Sequence, residues 1–480
     1  MNGAFNLADR ARRALEEAGF RPDFPSEAAA EVRRAEKIGA QADVDLTHLL
    51  WTSIDNRESR DLDQVEYAEP GSNGSIRLLL GIADVATYVP AGSAIDERAA
   101  HNTVSIYTAG KTFHLLPEEL STGRTSLNER ETRIAVVVEM LVEDDGEVHN
   151  PKVYRAKIKN HAKLTYDVVG DWLEANRSFP ELDEYPGLRN QLELQAEVSK
   201  RLMALRKRMG ALTFSSYEAQ PVTRNGNVVD LKVNRPNRAR DLIESFMVAA
   251  NVATATFLKS RGFPIIERAV RAPERWERLC EIASAYGFDL PAEPAPKPLA
   301  DFLASRREAD PAEFQDLSLT VIKLMGPGEY VVEHPTGEQT RHFGLALDDY
   351  SHSTAPNRRY ADLIIQRLIF AAINNSPRPY TDAELDAIAK RCTEREDAAR
   401  KVERLMRKVA AAQLVRNSIG NVFNAIVTGA SPKGTYVRAF APAVEGKVLR
   451  GEHGMRVGDR VRVRLISADA GRGFIDFERA

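Results

Sequence analysis

Cysteine is almost missing from this chain. Only Cys280 and Cys392 occur in 480 residues, far apart and in no CxxC or Cys/His spacing. That argues against a structural zinc site and fits a reducing, cytoplasmic compartment. Long apolar runs are missing too. No stretch of about 20 uncharged apolar residues occurs, so no transmembrane helix and no membrane partner are expected. The opening "MNGAFNLADRARRALEEAGF" has no apolar signal core. Neither a repeat of solenoid length nor a low-complexity tract is found. An excess of positive charge is also lacking: 66 Lys and Arg stand against 69 Asp and Glu, a net charge of −3. Any nucleic acid must therefore be held by local basic surfaces, because the overall field does not attract it.

The length suits two to four domains. Residues 5–38 read as two short helices. The first ends at Gly19. The second, "SEAAAEVRRAEKIG", has a Ser cap and stops at Gly39. This small head is either a helix-turn-helix or a plain helical pair packed on the next domain. From 44 to 160 the chain is strand-rich, with Asn73-Gly74 and "DDG" as hairpin turns. Helices follow at about 191–209, over "RARDLIESFMVAANVATATFLKSRG", and at about 356–373 and 382–416, with "LPAEPAPKP" as a connector. The end, 419–480, returns to short strands with Gly turns. The expected class is α+β and multidomain: a helical head over 1–43, a large mixed domain over 44–417 and a β-barrel over 418–480.

One segment concentrates negative charge. "TSIDNRESRDLDQ", residues 52–64, holds three aspartates and a glutamate. Asp61 and Asp63 are two apart, which on extended backbone puts them on one face. The polar "NRESR" lets Asp55 fold back toward them. Hard oxygen ligands without His or Cys suit Mg2+ or Mn2+, and a phosphoryl group is the matching substrate. The EF-hand pattern is not met. The competing reading is a solvated turn whose acids pair with Arg57 and Arg60.

The surroundings of this segment resemble one family. "DLTHLLWTSIDNRESRDLDQ", "LLLGIADVATYVPAGSAIDERA", "SIYTAGKTFHLLPEELSTGRTSLNERETRIAVVVEM", "DLIESFMVAANVATATFL", "FGLALDDYSHSTAPNRRYADLIIQRLI" and "CTEREDAARKVERL" occur in order over roughly 44–410. They are similar to the RNB catalytic domain of the ribonuclease II/RNase R family. The resemblance implies a 3′→5′ exoribonuclease that needs a divalent metal and releases nucleoside 5′-monophosphates. Three family aspartates fall on Asp55, Asp61 and Asp63. The fourth position is Gln64, which offers an amide oxygen but no charge. That departure keeps open an alternative: an RNA-binding protein on a decayed nuclease scaffold.

Further residues carry over. Pro356 suits the first position of a helix, which places Arg358 in its first turn, where dipole and charge favour phosphate. Arg358 matches the family's phosphate-contacting arginine, and Arg359 is read as a second contact. Tyr107 matches an aromatic that stacks on bases. Glu403 matches an acid at the terminal nucleotide, where it can accept from a 2′-hydroxyl; otherwise it pairs with Arg407 at i+4. Asp84 and His352 are read as structural groups.

The last sixty residues resemble an S1 domain, a five-stranded OB barrel. Phe423, Tyr436 and Phe440, with Lys433, Lys447 and Arg450, suit single-stranded RNA, although at least one aromatic should fill the barrel. Bacterial members of the family usually begin with cold-shock domains, and the 43 residues ahead of the RNB domain are too few for one. The RNA entrance is therefore expected to be built differently, with the head touching RNA, discrimination against duplexes weaker than usual and 3′-tailed structured RNA as a further partner. A monomer is expected by resemblance.

Overall fold

The computed structural model describes residues 6–39, 41–214, 219–224, 227–233, 237–311, 313–334, 341–431 and 434–480. At its centre five strands pair in a ring. Gln64–Pro70 and Ile76–Ala83 form a hairpin, and Ile76–Ala83 continues onto Thr132–Val142. The 18-residue strand Val148–Thr165 pairs antiparallel with Thr132–Val142 along its first half. Its second half runs parallel to Trp51–Asp55, and Thr52 meets Glu66 to complete the circuit. The expected turns hold: Asn73, Gly74 and Gly146 all have positive φ, which Asn and Gly tolerate.

Helices cover this ring. Leu188–Met209 and Arg238–Ser260 pack on each other and on its strands. Among the described residues Arg238–Ser260 is long and apolar enough to cross a bilayer, yet Phe246, Ala250 and Leu258 are buried in the main core. Three helices not anticipated from sequence, Trp276–Ala285, Pro296–Ala309 and Phe314–Met325, build a separate small core. The connector "LPAEPAPKP" is only half a connector, because Pro296 opens one of these helices.

The head is not a free unit. Its helices, Leu7–Glu17 and Ala28–Ala35, are joined by ten residues, far more than a helix-turn-helix turn of three or four. Each packs elsewhere. Leu7, Ala11 and Leu15 lie on the hairpin around Ile106 and Phe113 and on the helix Asp382–Val415. Ala28 and Val32 join the main core. The second helix begins one residue later than a Ser26 cap allows; Ser26 donates to Glu27 instead. Glu31 accepts the backbone N–H groups of Ala94 and Ile95 at the start of the helix Ala94–Asn102.

Arg98, 2 % exposed, fastens the head. Its guanidinium donates to the carbonyls of Arg21, Pro22, Asp23, His114 and Leu115. Truncating it takes a donor from five carbonyls, of which that of Leu115 is buried and that of Arg21 keeps Asn102, so Arg98→Ala should lower unfolding free energy by about 2–3 kcal/mol. Urea denaturation checks this, and a loss under about 1 kcal/mol would contradict the clamp.

At the far end, five strands from Val422–Ser431 to Phe474–Arg479 close a barrel. It sits on Ala412 and Val415 at the end of the long helix Asp382–Val415. Arg10 of the head also donates to the Gly471 carbonyl, so head, helix and barrel meet.

Candidate active site

The acidic segment leaves the ring at the end of Trp51–Asp55 and returns at Gln64. Asp55 is held by its own loop: it accepts from the Asn56 N–H at 2.6 Å and the Ser59 hydroxyl at 2.9 Å. Lys163 donates to the Arg57 and Ser59 carbonyls and fixes that loop. Arg60 turns outward to Glu118 at 3.0 Å, so it does not neutralise the aspartates. Leu62 is tied to Ser126 and Leu127. The competing solvated turn is not what forms.

Asp63 is 2 % exposed. It accepts from the Asn357 N–H at 3.2 Å and from Arg358 Nε at 3.2 Å. Burial pushes its carboxyl up to about 7; Arg358 opposes this and the charge of Asp61 adds to it. Burial also raises Asp55, against the Asn56 and Ser59 hydrogen bonds. Tyr107, 45 % exposed, donates its hydroxyl to Asp61 at 3.4 Å and its backbone N–H to Glu403 at 3.0 Å. Asp55, Asp61, Asp63, Arg358, Tyr107 and Glu403 are thus one neighbourhood, drawn from four stretches of chain. Among the described residues these three aspartates do not bring one oxygen each within 4.8 Å of one another.

Two expectations are corrected here. Arg358 is not in a first helical turn. The helix is Tyr360–Ile373, and residues 356–358 form a turn ahead of it. Arg359 is pulled into extended backbone by a bridge to Val104, and Ser105 bonds the Arg358 carbonyl, so the helix cannot start earlier. Arg359 is not placed as a second phosphate contact. Its guanidinium grips Asp362 through two hydrogen bonds of 2.8 and 2.7 Å, both groups being buried or nearly so. Asp362 also accepts from Ala355 N–H, so the pair shapes the turn that presents Arg358.

Asp84 pairs with Arg155 at 2.5 Å, and half-buried His352 meets the Tyr330 hydroxyl at 2.8 Å. Burial holds the His352 imidazole well below its ordinary value, hence neutral. Gln64 is buried opposite Ile82 at the start of its strand. Glu66 was missed. It is wholly buried with neither oxygen hydrogen-bonded, and burial and Asp55 raise its carboxyl well above the ordinary range. The available signal was a carboxylate in "QVEYAEP", within a strand walled by apolar neighbours.

On the barrel, Phe423 leans edge-on against Phe477 and packs on the core. Tyr436 and Phe440 are exposed, as is Phe474, which sequence reading passed over. Tyr436 lies across from Lys447. Arg450 pairs loosely with Glu478 at 3.6 Å, and Lys433 lies outside the described residues.

Fold and site define an RNB-domain protein: the RNB domain matches residues 43–375, and the RNase II-type exonuclease C-terminal S1 domain matches 421–480. The chain belongs to the ribonuclease II/RNase R family. It is 28% identical to Ribonuclease R 1 of Lactococcus lactis over 93% of its own length and 57% of that protein, so it spans little more than half of this relative. The structure of Mycoplasma genitalium RNase R in complex with ribose-methylated single-stranded RNA has a TM-score of 0.87 at 23% identity, covering 99% of this chain and 78% of that one. Yeast Ssd1, a pseudonuclease, shares the fold at a TM-score of 0.71 and 16% identity, covering 95% and 57%.

Proposed function

We propose that this protein is a 3′→5′ exoribonuclease that hydrolyses single-stranded RNA to nucleoside 5′-monophosphates with a divalent metal, Mg2+ or Mn2+. One observation carries the reading: Asp63 is buried against Arg358 while Asp61 and Glu403 are joined through Tyr107. The donor set is all oxygen, from Asp55, Asp61 and Asp63, and it fits a hard cation. Such a cation, when bound, activates water and offsets charge on the phosphate. Asp55, Asp61 and Asp63 would hold it. Arg358 would leave Asp63 for the scissile phosphate and stabilise the charge that develops there. Tyr107 would offer a ring face to a terminal base, and Glu403, which fixes the Tyr107 backbone, would accept from a ribose hydroxyl.

The head's first helix lies behind the Tyr107 hairpin, where a Cβ on Gly110 would stand 2.7 Å from the Ala8 nitrogen. The head therefore serves the RNA entrance by bracing that hairpin. Tyr436, Phe440 and Phe474 give the barrel faces for further bases. A cytoplasmic monomer is the working state in this reading.

Incubation with 5′-labelled oligo(A) and Mg2+ or Mn2+ tests the proposal. A ladder shrinking from the 3′ end is expected. Binding without cleavage in either metal would favour the second reading, an RNA-binding scaffold, for which Gln64 is the supporting feature.

The state of Asp63 sets a pH dependence. Its carboxyl is raised above its unfolded value, so below about pH 7 the metal-free protein holds a proton that a cation must displace. Mn2+ affinity should rise by about tenfold per pH unit up to about pH 7 and then level off. Calorimetric titration from pH 5 to 8 measures it. A flat profile would mean that the ion displaces no proton from Asp63.

A further inference from the structure

A second group of carboxylates lies away from Asp63. Glu267 is on the strand Ile265–Ala269 and Glu333 on its partner Glu329–Glu333. Asp349 sits in a left-handed bend, with φ of 54°, just before a third segment joins them. That segment is stitched on by a bridge between Glu267 and Ser351, by Arg268 N–H to the Tyr350 carbonyl at 2.7 Å, and by the Ser351 hydroxyl to the Ile266 carbonyl at 2.6 Å. One oxygen each from Glu267, Glu333 and Asp349 lies within 4.8 Å of the others. Two oxygens on opposite sides of an ion bound at about 2.1–2.4 Å stand about 4.2–4.8 Å apart, so this is the spacing of a hard divalent cation.

Charge strengthens the case. Glu267 is 1 % exposed and Glu333 5 %. Lys259 reaches one Glu333 oxygen and one Asp349 oxygen, each at 2.5 Å. It leaves the second Glu333 oxygen and both Glu267 oxygens without a hydrogen bond. Glu267 and Glu333 are two carboxylates side by side in a buried place, which is expensive without a counter-ion beyond the one ammonium of Lys259. Either a proton or a metal must lie between Glu267 and Glu333. A proton shared by Glu267 and Glu333, which burial and the hydrogen bond it makes to Glu333 favour by raising the Glu267 carboxyl to about 9, answers part of the charge; a divalent ion answers more of it and engages all three carboxylates.

We infer that Glu267, Glu333 and Asp349 form a second divalent-cation site, of Mn2+, Mg2+ or Ca2+ class, that clamps the segment 349–353 to its neighbouring strands. The clamp lies at the root of the turn bearing Arg358. Ser353 continues the anchoring through Asn251, and Asn357 then reaches Asp63. The ion is structural and takes no part in hydrolysis. The inference does not depend on the Asp63 site holding metal.

The test counts Mn2+ bound to the full chain by electron paramagnetic resonance, with thermal melting alongside. The background is Asp61→Asn/Asp63→Asn, which disables the first site. It should still bind one Mn2+ per chain and melt higher with Mn2+ than with EDTA. Adding Glu267→Gln should abolish both effects, because the amide cannot supply a charged ligand. Lys259→Met, which removes the competing ammonium, should tighten Mn2+ in the same background and reads the site independently of how Glu267→Gln folds. Absence of Mn2+ from the background protein would overturn the inference. So would an unchanged count and melting shift after Glu267→Gln, or an affinity indifferent to Lys259→Met. Those results would assign the cluster to a proton shared by Glu267 and Glu333.

Discussion

Asp63→Asn should bind oligo(A) at least as tightly as the wild type and cut it about 10³-fold more slowly. The substitution keeps size and polarity but removes the charge. In the present structure that charge is buried, accepts from Asn357 and Arg358, and feels Asp61. A cation site that loses one of three carboxylates loses affinity and its hold on the attacking water. RNA affinity has no reason to fall, because a negative charge beside a phosphate is repulsive. Single-turnover cleavage and fluorescence anisotropy separate the two quantities. Cleavage within about threefold of wild type would remove Asp63 from the chemistry.

Arg358→Ala should lower kcat by about 10²–10³-fold, in the range seen when one preorganised donor to a developing charge is lost. Arg358→Lys should recover only part, since an ammonium lacks the planar fork that grips two oxygens. The neighbouring arginine supplies the contrast. Arg359 is committed to Asp362, so Arg359→Ala should show first as a lower melting temperature and only then as lost activity. Equal kcat losses with unchanged stability for both variants would mean that the two arginines share the phosphate after all. The pair thus distinguishes a group that meets substrate from one that positions it.

The elements that were legible carry local signals. The hairpin at Asn73-Gly74 needs only turn residues that accept positive φ between alternating strands. The helix Asp382–Val415 announces itself through a Thr381–Glu384 capping box. What failed failed for non-local reasons. Pro356 is a good helix opener, but the Val104 bridge holds Arg359 extended and delays the helix to Tyr360. Ser26 is a good cap, yet it spends its hydroxyl on Glu27. Two head helices form, the second over Ala28–Ala35 and so short of Gly39, but each buries its apolar face on a different neighbour. No sequence period says which.

The chain itself therefore determined the chemistry available: three aspartates in thirteen residues, a glutamine where a fourth acid is usual, two adjacent arginines and an all-β end. Those are covalent facts, and residue type fixes charge and ligand hardness wherever the side chain lands. Tertiary structure alone decided which arginine faces Asp63, that Tyr107 spans Asp61 and Glu403, and that Glu66 and Glu267 are buried without partners. Those outcomes depend on packing between segments tens to hundreds of residues apart. The free energy of such packing is a sum over many weak contacts that no short stretch of sequence contains.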